Sequence, residues 1–203
     1  MARYGVRLEN DPKLTPQDYQ KLAKLAEERG YETAWIPEGG GRDSLTSLAS
    51  IALNTDQIRL GTGILPIFAR TPTNTAMGAA GMAAVSGDRF ILGLGVGHRP
   101  TVEAGYGVPF KQPMTRLRET IQIVRKLLSG EQVDFPGKHF KLSGASLGAA
   151  APIAKVPIYI AALGPQMLEM AGELADGVLV NWTSVTFIPQ AVVHIKRGAD
   201  KAG

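Results

Sequence analysis

Short unbroken apolar runs alternate along this chain with longer segments in which apolar residues return every three or four positions. The first pattern is that of a strand buried on both faces, the second that of an amphipathic helix. Residues 4–8 read as a first strand, broken by Asp11 and Pro12. Thr15, Pro16 and Asp18 make a helix start: a hydroxyl cap, proline at the first helical position and an acid near the positive end of the dipole. Tyr19, Leu22, Ala23 and Ala26 share one face of that helix, and Gly30 is its expected stop. Residues 33–37 predict a second strand, followed by Glu38 and by Gly39, Gly40 and Gly41. Asp43 caps the next helix, whose Leu45, Leu48, Ala49, Ala52 and Leu53 keep the helical period.

A third strand over 58–67 is interrupted by Gly61-Thr62-Gly63. Thr71-Pro72 opens a helix carrying Ala76, Ala79, Ala80, Ala83 and Ala84, small enough for close packing. Ser86-Gly87-Asp88 is turn chemistry that ends it. The run 89–94 then predicts a fully buried parallel strand, closed by Gly95, Val96 and Gly97. A long polar loop with His98, Arg99 and Glu103 follows. Residues 114–129 form a helix with Leu117, Ile121, Val124 and Leu128 inward, and Gly130 ends it. A hairpin over 133–142 turns at Pro136-Gly137, and 143–155 is small and alanine-rich. The fifth strand spans 156–162, and Leu163-Gly164-Pro165 leads into a helix ending near Ala175. Asp176-Gly177 turns into a sixth strand, 178–182, and a last weak helix covers 188–196.

Six successive strand–helix units predict a parallel sheet with right-handed crossovers. An open doubly wound sheet and a barrel both satisfy that pattern. The dinucleotide fingerprint is absent after the first strand, where Glu9-Asn10-Asp11-Pro12 stands, and Gly93-Leu94-Gly95-Val96-Gly97 lacks its spacing. The expected fold is therefore α/β of the (β/α)8 TIM-barrel type. About six of the eight units are present, with the small hairpin inserted after the fourth helix. Residues 1–203 are expected to form one incomplete barrel domain.

Composition narrows the function. With no cysteine there is no disulfide framework, zinc-thiolate site or thiol nucleophile, which suits a reducing cytoplasm. No apolar run reaches the length of a membrane span, so no membrane partner is expected. The net charge of +4 is modest, and the cations are scattered without interleaved aromatics, so nucleic acid is not expected either. No histidine–carboxylate group has ligand spacing, and no metal is expected.

Particular stretches carry a resemblance. Trp35 to Gly39 (WIPEG), 60–70 (LGTGILPIFAR), 86–99 (SGDRFILGLGVGHR), 106–110 (YGVPF) and 157–182 (PIYIAALGPQMLEMAGELADGVLVNW) occur in order. Together they resemble the luciferase-like monooxygenase family, most closely the branch that uses the deazaflavin coenzyme F420. The resemblance implies a barrel with the coenzyme at the carboxyl ends of the strands, and a hydride exchanged with a small organic substrate. It implies a cis peptide between Gly63 and Ile64, next to Thr62, forming a bulge against the ring. It implies that Gly95 and Gly97 leave room for the ring and its chain. Ala161, Ala162, Leu163, Gly164 and Pro165, at a strand end and a helix start, suit a phosphate or the ring's polar edge.

Glu38 is the acid nearest the expected ring, a proton donor or acceptor or an orienting group. Each of these stretches also reads as an ordinary turn, bulge or solvated carboxylate. Some family members carry a histidine just after the second strand. Glycines stand there in this chain, and His98 reads as a surface residue. Two other functions stay open: an FMN-dependent monooxygenase, and a truncated, non-catalytic barrel that binds coenzyme or a partner. The family resemblance also implies a homodimer through the second and third helices. The chain ends where a seventh strand follows in the family, so it is expected to belong to a longer protein.

Overall fold

The computed structural model describes residues 3–9, 11–39 and 41–203. Met1, Ala2, Asn10 and Gly40 lie outside the described residues, and with them part of the stretch after the first strand and of the glycine run after Glu38. The elements are β1 (Gly5–Arg7), α1 (Pro16–Glu28), β2 (Thr33–Ile36), α2 (Ser44–Ala52), β3 (Arg59–Thr62), β4 (Leu65–Pro66), α3 (Pro72–Ser86) and β5 (Phe90–Gly95). There follow α4 (Pro113–Leu128), β6 (Val133–Pro136), β7 (Lys141–Ala145), β8 (Ile158–Ala161), α5 (Pro165–Leu174), β9 (Gly177–Leu179) and α6 (Ile188–Ala202).

The main sheet is parallel throughout, in the order β1-β2-β3-β5-β8-β9, with β4 continuing the line of β3 against β5. Strands that follow one another in the chain lie side by side, as in a barrel wall. The sheet curls: the Arg7 guanidinium at the end of β1 lies 6.0 Å from the Trp182 ring, just past β9. Among the described residues β1 and β9 are its edges, and β6 and β7 form a separate antiparallel hairpin.

Local chemistry sets the helix starts. The Thr15 hydroxyl accepts the Asp18 N–H and the Asp18 carboxylate accepts the Thr15 N–H, a closed capping box. Asp43 and Thr71 cap α2 and α3 in the same positions. Alternation then divides each strand between two faces. Ala34, Ile36, Leu60, Phe90, Leu92, Leu94, Ile158 and Ile160 are buried in one core with Tyr19, Leu48, Ile51, Ala76, Leu117, Ile121 and Leu168 of the helices. Arg89, at the foot of β5, donates to the carbonyls of Ala52, Thr55, Ile58 and Ser86, locking the lower rim.

The concave face is built differently. Trp35 of β2 and Tyr159 of β8 meet there, ring centroids 5.7 Å apart. Glycines on the neighbouring strands make space for them. A Cβ on Gly61 would lie 2.3 Å from Trp35 Cε3, and one on Gly177 would lie 2.5 Å from Tyr159 Cζ.

Several expectations are corrected. Leu22 and Leu53 are exposed, and Ile51 takes the core position on α2. Ala84 is also exposed. The sixth strand ends at Leu179, and Trp182 sits beyond it in a left-handed conformation, φ 47°. The last helix runs to Ala202, well past Lys196, because it packs on α5. A Cβ on Gly198 would fall 1.8 Å from the Glu169 carbonyl oxygen, and one on Gly172 would fall 2.0 Å from that of Ile195. That backbone-to-backbone approach supplies the stability that local propensity lacks.

Candidate functional site

At the carboxyl ends of the strands the chain leaves regular pairing between β3 and β4. Gly61 pairs with Ile91 and Leu65 with Leu94, so three residues on one side oppose two on the other. This is a bulge, and the Gly63–Ile64 peptide inside it is cis, as the family resemblance implied. Its flanks are tied to neighbouring strand ends. Gly63 N–H donates to the Ile36 carbonyl at 2.8 Å, Glu38 N–H to the Ile64 carbonyl at 3.2 Å, and Ile67 N–H to the Gly95 carbonyl at 2.9 Å.

The bulge aims Ile64 across the sheet. A Cβ on Gly95 would lie 2.9 Å from Ile64 Cδ1 and 3.3 Å from the Ala161 methyl. Ile64 of the bulge, Gly95 of β5 and Ala161 of β8 thus form one apolar surface at the mouth. The space over Gly95 is taken by Ile64, not left open. Gly97, at φ 70°, holds a conformation that favours glycine.

Two residues expected at the site face elsewhere. Thr62 is fully buried, and its hydroxyl accepts the Gly93 N–H and donates to the Gly93 carbonyl, both at 2.8 Å. It replaces the ladder bonds lost at the bulge. The Ala162 methyl is in the core, and its N–H donates to the Leu179 carbonyl at 3.1 Å. That amide is spent on the sheet, which corrects the expectation of an amide open to ligand there. Leu163 is exposed, Gly164 is the N-cap of α5 and Pro165 its first residue, with no side chain capping the helix.

Glu38 stands just past β2 and belongs to an ion cluster. Its carboxylate accepts the Ser44 amide at 3.2 Å and hydroxyl at 3.1 Å, and pairs with Arg70 at 3.4 Å. Arg70 also pairs with Asp43. Burial works against the Arg70 charge, but Glu38 and Asp43 outweigh it and raise the guanidinium's pKa. Asp43 is held below the usual carboxylate range although burial opposes this, because Thr46 donates twice and Arg70 adds its charge. Tyr106, on the loop after β5, has its phenol pushed up by burial and by the Glu38 carboxylate, with Arg70 offsetting part. Sequence reading missed Arg70 and Tyr106, although both lie inside stretches that carry the family resemblance. Their signal was position: one ends 60–70, the other opens 106–110. His98 is exposed, as expected of a surface histidine. Among the described residues no group of histidine and carboxylate side chains is placed to hold a metal ion.

The family profile described as luciferase-like monooxygenase matches residues 2–203. The chain belongs to that family. It is 40% identical over 195 residues to 5,10-methylenetetrahydromethanopterin reductase of Methanolobus tindarius, covering 96% of this chain and 58% of that one. It is 35% identical over 204 residues to the F420-dependent glucose-6-phosphate dehydrogenase of Mycolicibacterium gilvum, covering 93% of this chain and 60% of that one. The structure of the coenzyme F420-dependent tetrahydromethanopterin reductase of Methanopyrus kandleri superposes with a TM-score of 0.90 at 33% identity. That superposition covers 99% of this chain and 62% of the other. The barrel-type fold is thereby shown, as a partial barrel. The chain spans about 60% of the length of the relatives it matches.

Proposed function

We propose that this chain supplies the coenzyme-binding part of an F420-dependent oxidoreductase that exchanges a hydride with a small organic substrate. The observation that carries the reading is the bulge at Gly63–Ile64, with Ile64 lying over Gly95 against Ala161 at the strand ends. The F420-dependent names of the relatives support it. The residues present fit a flat, largely apolar ring: one aliphatic side chain, one methyl and glycine backbone at the mouth. A bound deazaflavin supplies the carbon that gives or takes the hydride.

The chain's own part is positional. Ile64 and Ala161 present an apolar surface that excludes water. Gly95 makes room for Ile64 to lie across the mouth, and Gly97 keeps a side chain out of the approach. The uncapped start of α5 leaves the N–H groups of Leu163, Gly164 and Gln166 toward an anionic or polar edge, while Pro165, which has no N–H, sets the helix start. Glu38, held by Arg70 and Ser44, acts as a fixed carboxylate that orients substrate. We further read residues 1–203 as one incomplete barrel domain of a cytoplasmic homodimer. Leu53, Met77 and Val85 are exposed on the side of α2 and α3 and support that interface.

The test is fluorescence titration of the purified chain with coenzyme F420 and with FMN. Tighter binding of F420 supports the reading. Tighter binding of FMN favours a flavin monooxygenase instead. F420 binding without turnover leaves the chain as a coenzyme-binding part alone.

A further inference from the structure

The loop after β5, the start of α4 and the β6–β7 hairpin border an open recess of about 560 Å³. Val108, Pro109, Lys111, Gln112, Arg116 and His139 line it. The polar lining is cationic or amide, with no carboxylate in it.

Arg116 is the centre of the recess. Its guanidinium lies between two aromatic rings, 4.9 Å from the Phe68 centroid and 4.8 Å from the Phe140 centroid. Two rings against the guanidinium restrict its motion and hold it in place. The Nε is sealed from solvent without a partner, as is Nε2 of His139. Among the described residues no hydrogen bond and no ion pair reaches the Arg116 side chain. The nearest acid in the sequence, Glu119, is committed elsewhere. It accepts the backbone N–H of Lys138 at 2.7 Å, of His139 at 2.9 Å and of Phe140 at 3.1 Å, which shapes the hairpin.

A half-buried guanidinium against two rings and without a hydrogen-bonded anion is an unusual arrangement, since buried charges are ordinarily paired; the Glu119 charge acts on it but makes no bond to it. Lys111 adds a second cation on the same lining, and Gln112 adds amide donors at the N-cap of α4. A planar guanidinium on the lining of a recess offers a fork that matches the oxygen spacing of a phosphate or a carboxylate. We propose that this recess binds a small oxyanion through Arg116, with Lys111 and Gln112 beside it. The oxyanion is a phosphate or carboxylate group, free or part of a larger metabolite. The proposal uses none of Ile64, Gly95 and Ala161, although the loop after β5 that carries Tyr106 also lines this recess.

The test is calorimetric titration of the full chain with inorganic phosphate and, separately, with citrate, paired with amide-shift mapping by NMR. Saturable binding at roughly millimolar or tighter, with shifts at Lys111, Gln112 and residues 138–140, is the expected result. Preference for one probe distinguishes phosphate from carboxylate chemistry. Arg116→Gln is expected to weaken binding about tenfold or more, the scale of one lost charged hydrogen bond. Lys111→Ala touches only an exposed side chain, so it guards against a folding defect, and it is expected to weaken binding less. Absence of binding to both probes would overturn the proposal. So would binding that both variants leave unchanged, or shifts confined to another surface.

Discussion

Trp35 and Tyr159 touch across the concave face of the sheet, their rings 5.7 Å apart and tilted by 37°. They come from β2 and β8, with two strands between them in the sheet. Two aromatic rings meet there because Gly61 and Gly177 carry no side chain. A methyl on Gly61 would overlap the indole, and one on Gly177 the phenol ring. Gly61→Ala is therefore expected to destabilise the fold by about 1–3 kcal/mol, the usual cost of overpacking. Pairing it with Trp35→Leu is expected to recover part of that loss. Thermal denaturation of the two single variants and the double variant checks this, and strict additivity would count against the contact.

Acid stability has an identifiable source in Glu27. Its carboxylate accepts the N–H groups of Asp56, Gln57 and Ile58 at 2.9, 2.6 and 2.9 Å, and it pairs with Lys24 at 2.7 Å. Burial disfavours the charge, but Lys24 and the three amides outweigh it and hold the pKa at about 2, against an ordinary 4.5. The folded pKa lies below the unfolded one, so the stabilisation is complete above about pH 4.5 and fades as pH falls toward 2. It amounts to about 3 kcal/mol at neutral pH. Urea unfolding across that window is expected to show the loss in the wild type and a flatter profile in Glu27→Gln.

The ion cluster at the mouth separates positioning from proton transfer. Arg70→Gln removes a partner from both Glu38 and Asp43, and the fold is expected to lose about 2 kcal/mol, between the exposed and buried limits for ion pairs. Glu38→Gln keeps an oxygen for Ser44 and Arg70 and is expected to alter stability by less than Arg70→Gln does. If Glu38 only orients substrate, Glu38→Gln raises KM more than it lowers kcat. A large loss of kcat at unchanged KM would instead mark it as an acid or base.

Association is expected to involve α2 and α3. Met77 and Val85 are exposed on α3, and Leu53 is exposed at the end of α2. Met77→Glu is expected to shift the protein from dimer to monomer in light scattering at matched concentration. A wild-type monomer at high concentration would remove this part of the proposal.

Much of the fold was legible because it is local. Thr15 with Asp18, Asp43 and Thr71 act over three residues, and Gly87 closes α3 in a left-handed conformation at φ 60°. The apolar run ending at Gly95 needed only its own pattern to be read as a doubly buried strand. The family resemblance supplied the bulge at Gly63–Ile64, which no periodicity would show. The rest depends on residues far apart in the chain. Arg70 meets Glu38 across 32 positions, and Thr62 meets the Gly93 backbone across 31. Nothing near Gly61 or Gly177 shows that each faces an aromatic ring while Gly95 lies under Ile64. The length of α6 was missed because Gly198 continues the buried face of Ala191 and Ile195 without an apolar side chain to mark it, and its partner Gly172 lies on another helix.

The coenzyme reading rests on the surface formed by Ile64, Gly95 and Ala161. Fluorescence titration with F420 of the wild type and of Gly95→Val tests that surface most directly. A side chain at Gly95 must displace Ile64, whose Cδ1 lies 2.9 Å from the added Cβ. Micromolar binding of F420 by the wild type, weaker binding of FMN, and at least about a tenfold loss in Gly95→Val with the fold retained are the expected results. Equal affinity in the two proteins, or no F420 binding by the folded wild type, would contradict the assignment.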